Sequence, residues 1–177
     1  KPFYLKPYPT EKYFNSFNNT AASKIISLKE MKFADSNIEF PSTNLNDELI
    51  KQYAEKRDYP SANGTSHLSV HLRFGTISIR KLFSHAFYLS ETWVNELIWR
   101  EFYMMILWHF PHAATGPLKK QYENIKWRNN EQEFEAWCKG KTGYPIVDAG
   151  MRELNETGFM HNRVRMIVAS FLTKHLL

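Results

Sequence analysis

The sequence has one cysteine, Cys138, in 177 residues. A lone cysteine excludes an intrachain disulfide and any metal site built on paired thiolates, so no metal is expected. It also fits a reducing, cytoplasmic compartment. Cys138 lies in EAWCKGKTG with no histidine nearby, which favours packing over nucleophilic chemistry. No apolar run approaches the length of a membrane span, and no signal peptide opens the chain. The sequons at Asn18, Asn63 and Asn155 therefore carry little weight. Sustained alternation of period two is missing too, as are repeats and low-complexity segments.

What is present is aromatic and basic. Aromatic residues make up 15% of the chain, with five tryptophans and nine tyrosines, and hydrophobic residues 43%. That composition is far from disorder and sufficient for a real core. The formal net charge is +5. A basic balance favours anionic partners, nucleic acid first, with ordinary solubility as the alternative.

The chain opens on KPFYLKPYPTEKYF rather than on methionine, which reads as a linker cut from something longer. Residues 1–45 are rich in Pro, Asn, Ser and Lys and read as extended, with one short helix near Glu11–Phe17. NDELIKQYAEKRD, residues 46–58, reads as a helix capped by Asn46 or Asp47, with Leu49, Ile50 and Tyr53 on one face. Pro60 and Gly64 then break the chain. Further helices are predicted near 66–73, 76–89, 92–110, 131–138, 144–157 and 160–177. The fold class is all-α, a non-repetitive multi-helix arrangement.

Four segments carry candidate chemistry. In NGTSHLS, residues 63–69, Gly64 permits close backbone approach, and Thr65, Ser66 and Ser69 put hydroxyls at a helix start. That suits either a phosphate or an ordinary N-cap. In ETWVNELIWREFYMMILWHF, residues 91–110, Glu96, Trp99, Arg100 and Tyr103 share one helical face. A carboxylate, an indole, a guanidinium and a phenol together suit a pocket for a flat polar group. The alternative is a Glu96–Arg100 surface pair beside half-buried aromatics. In KTGYPIVDAGMREL, Pro145 starts a helix, and Asp148 and Arg152 are spaced for a salt bridge. Trp127 and Trp137 read as packing residues. In TGFMHNRVRMIVASFLTKHLL, Asn162, Met166 and Ala169 share a face, while Arg163 and Arg165 point elsewhere. Arginines at a helix N-terminus oppose the macrodipole, so an anion or a carboxylate should compensate them.

Together these segments resemble the photolyase/cryptochrome family. TGYPIVDAGMREL and NRVRMIVASFLTKHLL look like its two signature segments. GTSHLSVHLRFGTIS and WVNELIWREFYMMIL look like its flavin and substrate helices. NELIWREF and FMHNRVRM look like the class I cyclobutane-dimer DNA photolyases rather than the (6-4) enzymes. The resemblance covers about residues 46–177.

The resemblance implies part of an all-α FAD domain, truncated at its C-terminal side. Residues 1–45 would be the connection from a missing N-terminal α/β domain with an antenna chromophore. Tyr53, the run Thr65, Ser66, His67, Leu68 and Ser69, and Trp93 match FAD contacts. Glu96 matches the carboxylate that hydrogen-bonds a pyrimidine dimer, and Trp99 the indole it stacks on. Asn162 and Met166 match dimer-pocket positions. Arg57, Arg100, Tyr103, Asn162 and Arg163 fall on the DNA side with Glu96 and Trp99. Arg165 matches an arginine paired with an acidic residue beyond this segment. Trp127 matches the outermost tryptophan of an electron-transfer chain. The implied activity is light-dependent repair of pyrimidine dimers by electron transfer from reduced FAD, the cofactor carrying the hard step. The expected partner is damaged DNA, with no membrane and no obligate protein partner. The alternatives are a cryptochrome-type photoreceptor and a flavin-free DNA-binding remnant.

Overall fold

The computed structural model describes residues 5, 9–21, 23–37 and 39–176. Among these the chain is helical, with no strand. Thr10–Ser16 is a short 3-10 helix with no buried residue, close to the helix predicted there. Most other described residues up to 46 lie outside helices and are exposed, with a turn at 28–32.

The predicted helix over 46–58 is two short ones, α1 (Asp47–Lys51) and α2 (Tyr53–Lys56). Asn46 caps α1, its side chain accepting from the backbone N–H groups of Glu48 and Leu49. The break falls at Gln52, whose ψ of 0° departs from helical geometry. α3 (Ser69–Phe74) ends at Gly75, whose φ of 68° needs no Cβ. α4 is Ile79–Ala86, capped by Ser78, and α5 is Glu91–His109, capped by Ser90. Ile50, Leu68, Leu82, Ala86, Trp93, Val94 and Leu97 form one buried cluster joining α1, α4 and α5.

α6 (Glu131–Cys138) falls where the sequence places it. α7 (Pro145–Thr157) starts on Pro145 and stops at Gly158 in the left-handed region. α8 is Asn162–His175. Val147, Met151, Met160, Val164, Val168 and Phe171 form a second cluster. It closes tightly because Gly150 has no side chain: a Cβ there would lie 2.5 Å from Val164 Cγ1. Trp137 packs on this cluster and donates from Nε1 to the Val168 carbonyl at 3.1 Å.

Asp148 does more than the salt bridge its spacing predicts. Its Oδ1 accepts from Thr142 N at 2.7 Å and Thr142 Oγ1 at 2.6 Å, and its Oδ2 from Gly143 N at 3.0 Å. Arg152 Nη2 stays 3.8 Å from the carboxylate, and the guanidinium donates instead to the Gly140 carbonyl. The carboxylate thus ties the α6–α7 turn to α7. The Thr142 hydrogen bond, followed by the backbone N–H groups, holds Asp148 below the usual carboxylate range.

Among the described residues, contacts between the regions of the two clusters include a ring pair and an ion pair. The His67 and Phe159 rings are 4.2 Å apart. Arg163, at the start of α8, pairs with Asp58, just after α2. The second half of α5 meanwhile leaves Trp99, Tyr103, Met104 and Trp108 exposed.

Candidate functional site

A cavity of about 570 Å³ opens where α2, the 65–69 loop, α3 and α5 meet. That is within the range of small-molecule sites. Tyr53, Thr65, Ser66, His67, Leu68, Ser69 and Trp93 all line it. These residues, grouped from separated sequence segments, therefore share one space. Glu96 and Arg100 are on the same wall.

The loop between α2 and α3 is built for close approach. A Cβ on Gly64 would lie 2.8 Å from Lys56 Cβ and 3.0 Å from the Lys56 carbonyl oxygen. Gly64 lets the loop press on α2 and turn Thr65–Ser69 into the cavity. His67 follows with φ 51°, an unusual conformation for a residue with a Cβ. Its Nε2 is 3.2 Å from Thr65 Oγ1. Behind the loop, buried His71 donates from Nε2 to the Pro41 carbonyl at 2.7 Å and accepts at Nδ1 from Thr76 Oγ1 at 2.8 Å. That fastens the 39–45 segment to α3.

Glu96 finds a different partner from the one helical spacing suggests. Arg57 Nη1 is 2.7 Å from Glu96 Oε1. Arg100 turns away and donates from Nη2 to the Leu72 carbonyl at 3.1 Å, closing α5 on α3. Arg57 also lies over the Tyr53 ring, 5.4 Å from its centroid. Burial, followed by the nearby Glu96 carboxylate, pushes the Tyr53 phenol up to about 12. Tyr53 thus keeps its O–H as a donor through the physiological range.

Trp99 is one turn beyond Glu96 and half exposed, stacked with Tyr103 at 5.9 Å and 28°. This leaves an aromatic platform outside the cavity. On the α8 side, Arg163 donates from Nε at 2.8 Å and places Nη2 2.7 Å from Asp58 Oδ1. Asp58 is the carboxylate that an arginine at a helix start requires. Arg165 donates to the Met160 carbonyl at 3.4 Å. Buried His161 caps α8, its Nδ1 accepting from Arg163 N at 3.2 Å.

Asn162 is exposed at the first position of α8. Met166 lines a second cavity, beside Tyr144, Ile146 and Phe171. Trp127 lines a third, with Asn130, Phe134 and Leu172. Neither shares the Glu96 cavity. The main cavity also uses Leu72, Arg73, Leu97, Met104 and Phe159, which no sequence signal singled out. Arg73 was findable, one turn beyond Ser69. Phe159 was not, because only tertiary packing brings the α7–α8 loop to α3.

Residues 93–177 match the family model described as the FAD binding domain of DNA photolyase. These residues belong to the DNA photolyase family. FAD is the cofactor of that family's domain. A deoxyribodipyrimidine photo-lyase of Synechococcus is 48% identical over 143 residues, covering 74% of this chain and 30% of the relative. One of Neurospora crassa is 46% identical over 144 residues, covering 74% and 23%. The chain thus spans less than a third of the curated photolyases it matches. A class III photolyase structure from Agrobacterium tumefaciens superposes with a TM-score of 0.68 at 46% identity, over 73% of this chain and 28% of that one. A Synechocystis cryptochrome gives 0.66 at 36% identity, over 73% and 29%. No helix among the described residues is long and apolar enough to cross a membrane.

Proposed function

We propose that this chain is the FAD- and DNA-binding part of an enzyme that splits cyclobutane pyrimidine dimers in light. The observation that carries the reading is the position of Glu96. It belongs at once to the wall of the main cavity and to the helical turn that displays Trp99.

FAD has a flat ring system and an anionic pyrophosphate, and the cavity wall suits both. Trp93, Leu72, Leu97 and Phe159 offer apolar surface, while Thr65, Ser66 and Ser69 offer hydroxyls. Arg73 and Arg100 supply positive charge on the same wall. The strained backbone at His67 is of the kind stored at ligand sites. Tyr53, the 65–69 run and Trp93 would hold the cofactor. Bound there in reduced form, it would supply the electron that opens the cyclobutane ring.

The chain's own residues do the rest. Trp99, with Tyr103 against it, offers a stacking face to an extruded dimer, a lesion cheaper to flip than a paired base. Glu96 accepts a hydrogen bond from an N–H of the pyrimidine edge, which orients the lesion. Arg57 and Arg163 meet flanking phosphates, with Asn162 beside them at the α8 start. Met166 lines a separate cavity, so its dimer-pocket role rests on the family resemblance, and Trp127 would relay electrons to the flavin from outside. Residues 46–177 act as the FAD/DNA unit, and residues 1–45 as a connecting segment.

The likeness to a cryptochrome keeps a photoreceptor as the second reading. Glu96 beside Trp99 favours repair, with Asn162 and Met166 at positions that match the family's dimer pocket, because a photoreceptor has no use for a lesion pocket. Two measurements decide. The purified chain refolded with FAD should show a flavin absorption band; without one, the cofactor reading fails for this chain. Blue light should then restore thymine-dimer DNA. A flavin-loaded chain that leaves dimers intact would instead support the photoreceptor.

A further inference from the structure

Asp58 lies just after α2, between two arginines beside Glu96. Its Oδ1 receives Arg163 Nε at 2.8 Å and Arg163 Nη2 at 2.7 Å. Arg57 Nε approaches the same oxygen at 3.5 Å. Two guanidinium groups from distant parts of the chain thus converge on one anionic oxygen. Such convergence is how arginines grip phosphate. We propose that Asp58 is an internal stand-in for a DNA phosphate, holding Arg57 and Arg163 together and neutralised until a backbone phosphate displaces it.

Three observations support the exchange. The Asp58 side chain is half exposed, as is that of Arg163, so an anion arriving from solvent reaches both. Exposed ion pairs are weak and give way readily to a competitor. The local charge also balances: Arg57 and Arg163 face Asp58 and Glu96, two cations against two anions. A surface otherwise poised for DNA is therefore electrically quiet at this point. Asp58 keeps the two arginines correctly spaced while tempering their attraction for any passing polyanion. The Arg163 hydrogen bond, the largest influence on the group, also keeps the Asp58 carboxyl ionised to lower pH than usual, as a tight anion mimic requires.

This inference rests on the repair reading, in which Arg57 and Arg163 face DNA. Asp58→Asn keeps the shape and removes the charge. In the FAD-loaded chain it should raise affinity for an undamaged duplex oligonucleotide about threefold to fivefold at low salt, and steepen the salt dependence by about 0.9 in log–log slope. In an Arg163→Gln background the same change should lose most of that gain. Binding that is unchanged or weaker in Asp58→Asn, when the unaltered chain binds DNA, overturns the inference alone. An unaltered chain that binds no DNA overturns the repair reading and the inference with it. A second readout needs no variant. Inorganic phosphate titrated into the unaltered protein should shift the Arg163 Nε–H resonance and move the Asp58 carboxyl pKa up toward its ordinary value. A carboxyl that titrates identically with and without phosphate would equally overturn the exchange.

Discussion

The Arg57 guanidinium and the Glu96 carboxylate meet at 2.7 Å, linking α2 to α5 at the edge of the main cavity. Both side chains are about a third exposed, so the pair adds little to stability. Arg57→Ala is expected to cost under about 1 kcal/mol of unfolding free energy. Its effect on DNA should be larger in kind: the log–log salt slope of binding falls by about 0.9 if one phosphate contact is lost. Urea melts and salt-dependent titrations measure the two separately, and an unchanged slope would remove Arg57 from the interface.

Trp99 is half exposed, so it contributes more to a ligand than to the core. Trp99→Ala should weaken binding of dimer-containing DNA by about 1–3 kcal/mol, the usual range for a base stacked on an aromatic ring. Binding of undamaged duplex should change much less. Parallel titrations with the two oligonucleotides check this. Equal losses on both would end the stacking role.

Gly150 tests the second cluster. In Gly150→Ala the new methyl lands 2.5 Å from Val164 Cγ1 and 3.1 Å from Val168 Cγ2, so α7 and α8 must separate. Overpacking of this kind costs about 1–3 kcal/mol. Gly116→Ala is the control, since its nearest neighbour would be the His112 carbonyl oxygen at 3.8 Å. A drop in Tm is expected for the first and almost none for the second.

The Tyr53 phenol gives a pH-dependent signal. It should ionise near pH 12 rather than near 10, seen as the difference in phenolate absorbance between the parent and Tyr53→Phe. Glu96→Gln removes a neighbouring negative charge that disfavours the phenolate. The midpoint should then fall, while staying above 10 because burial is the larger cause. An unmoved midpoint would mean that Glu96 and Tyr53 are not coupled.

Much of this was legible in the sequence because it is local. Caps, prolines and left-handed glycines set the helices, and α6 begins and ends where its spacing says. The 65–69 run read from its residues as either a phosphate site or an ordinary N-cap; the fold puts it on a cavity wall, and Gly64 serves an approach to Lys56. The break at Gln52 was not legible, because nothing in its residue type forbids a continuous helix. Charge partners were the least legible. Helical spacing offered Arg100 to Glu96 and Arg152 to Asp148, and the fold gave Glu96 to Arg57 and most of Asp148 to the Thr142–Gly143 turn. Local spacing lists candidates; tertiary proximity chooses among them.

The buried apolar residues fall into two groups, one around α1, α4 and α5 and one around α7 and α8. Two separately packed cores are expected to melt as two cooperative units in the absence of a ligand. The main cavity takes its walls from both sides, with Tyr53, Leu68 and Trp93 on one and Phe159 on the other. A molecule seated there binds only when both units are folded, and mass action then merges their transitions into one. Calorimetry would read this as two endotherms fusing on addition of the ligand, with the cofactor acting as a keystone for the helices around it.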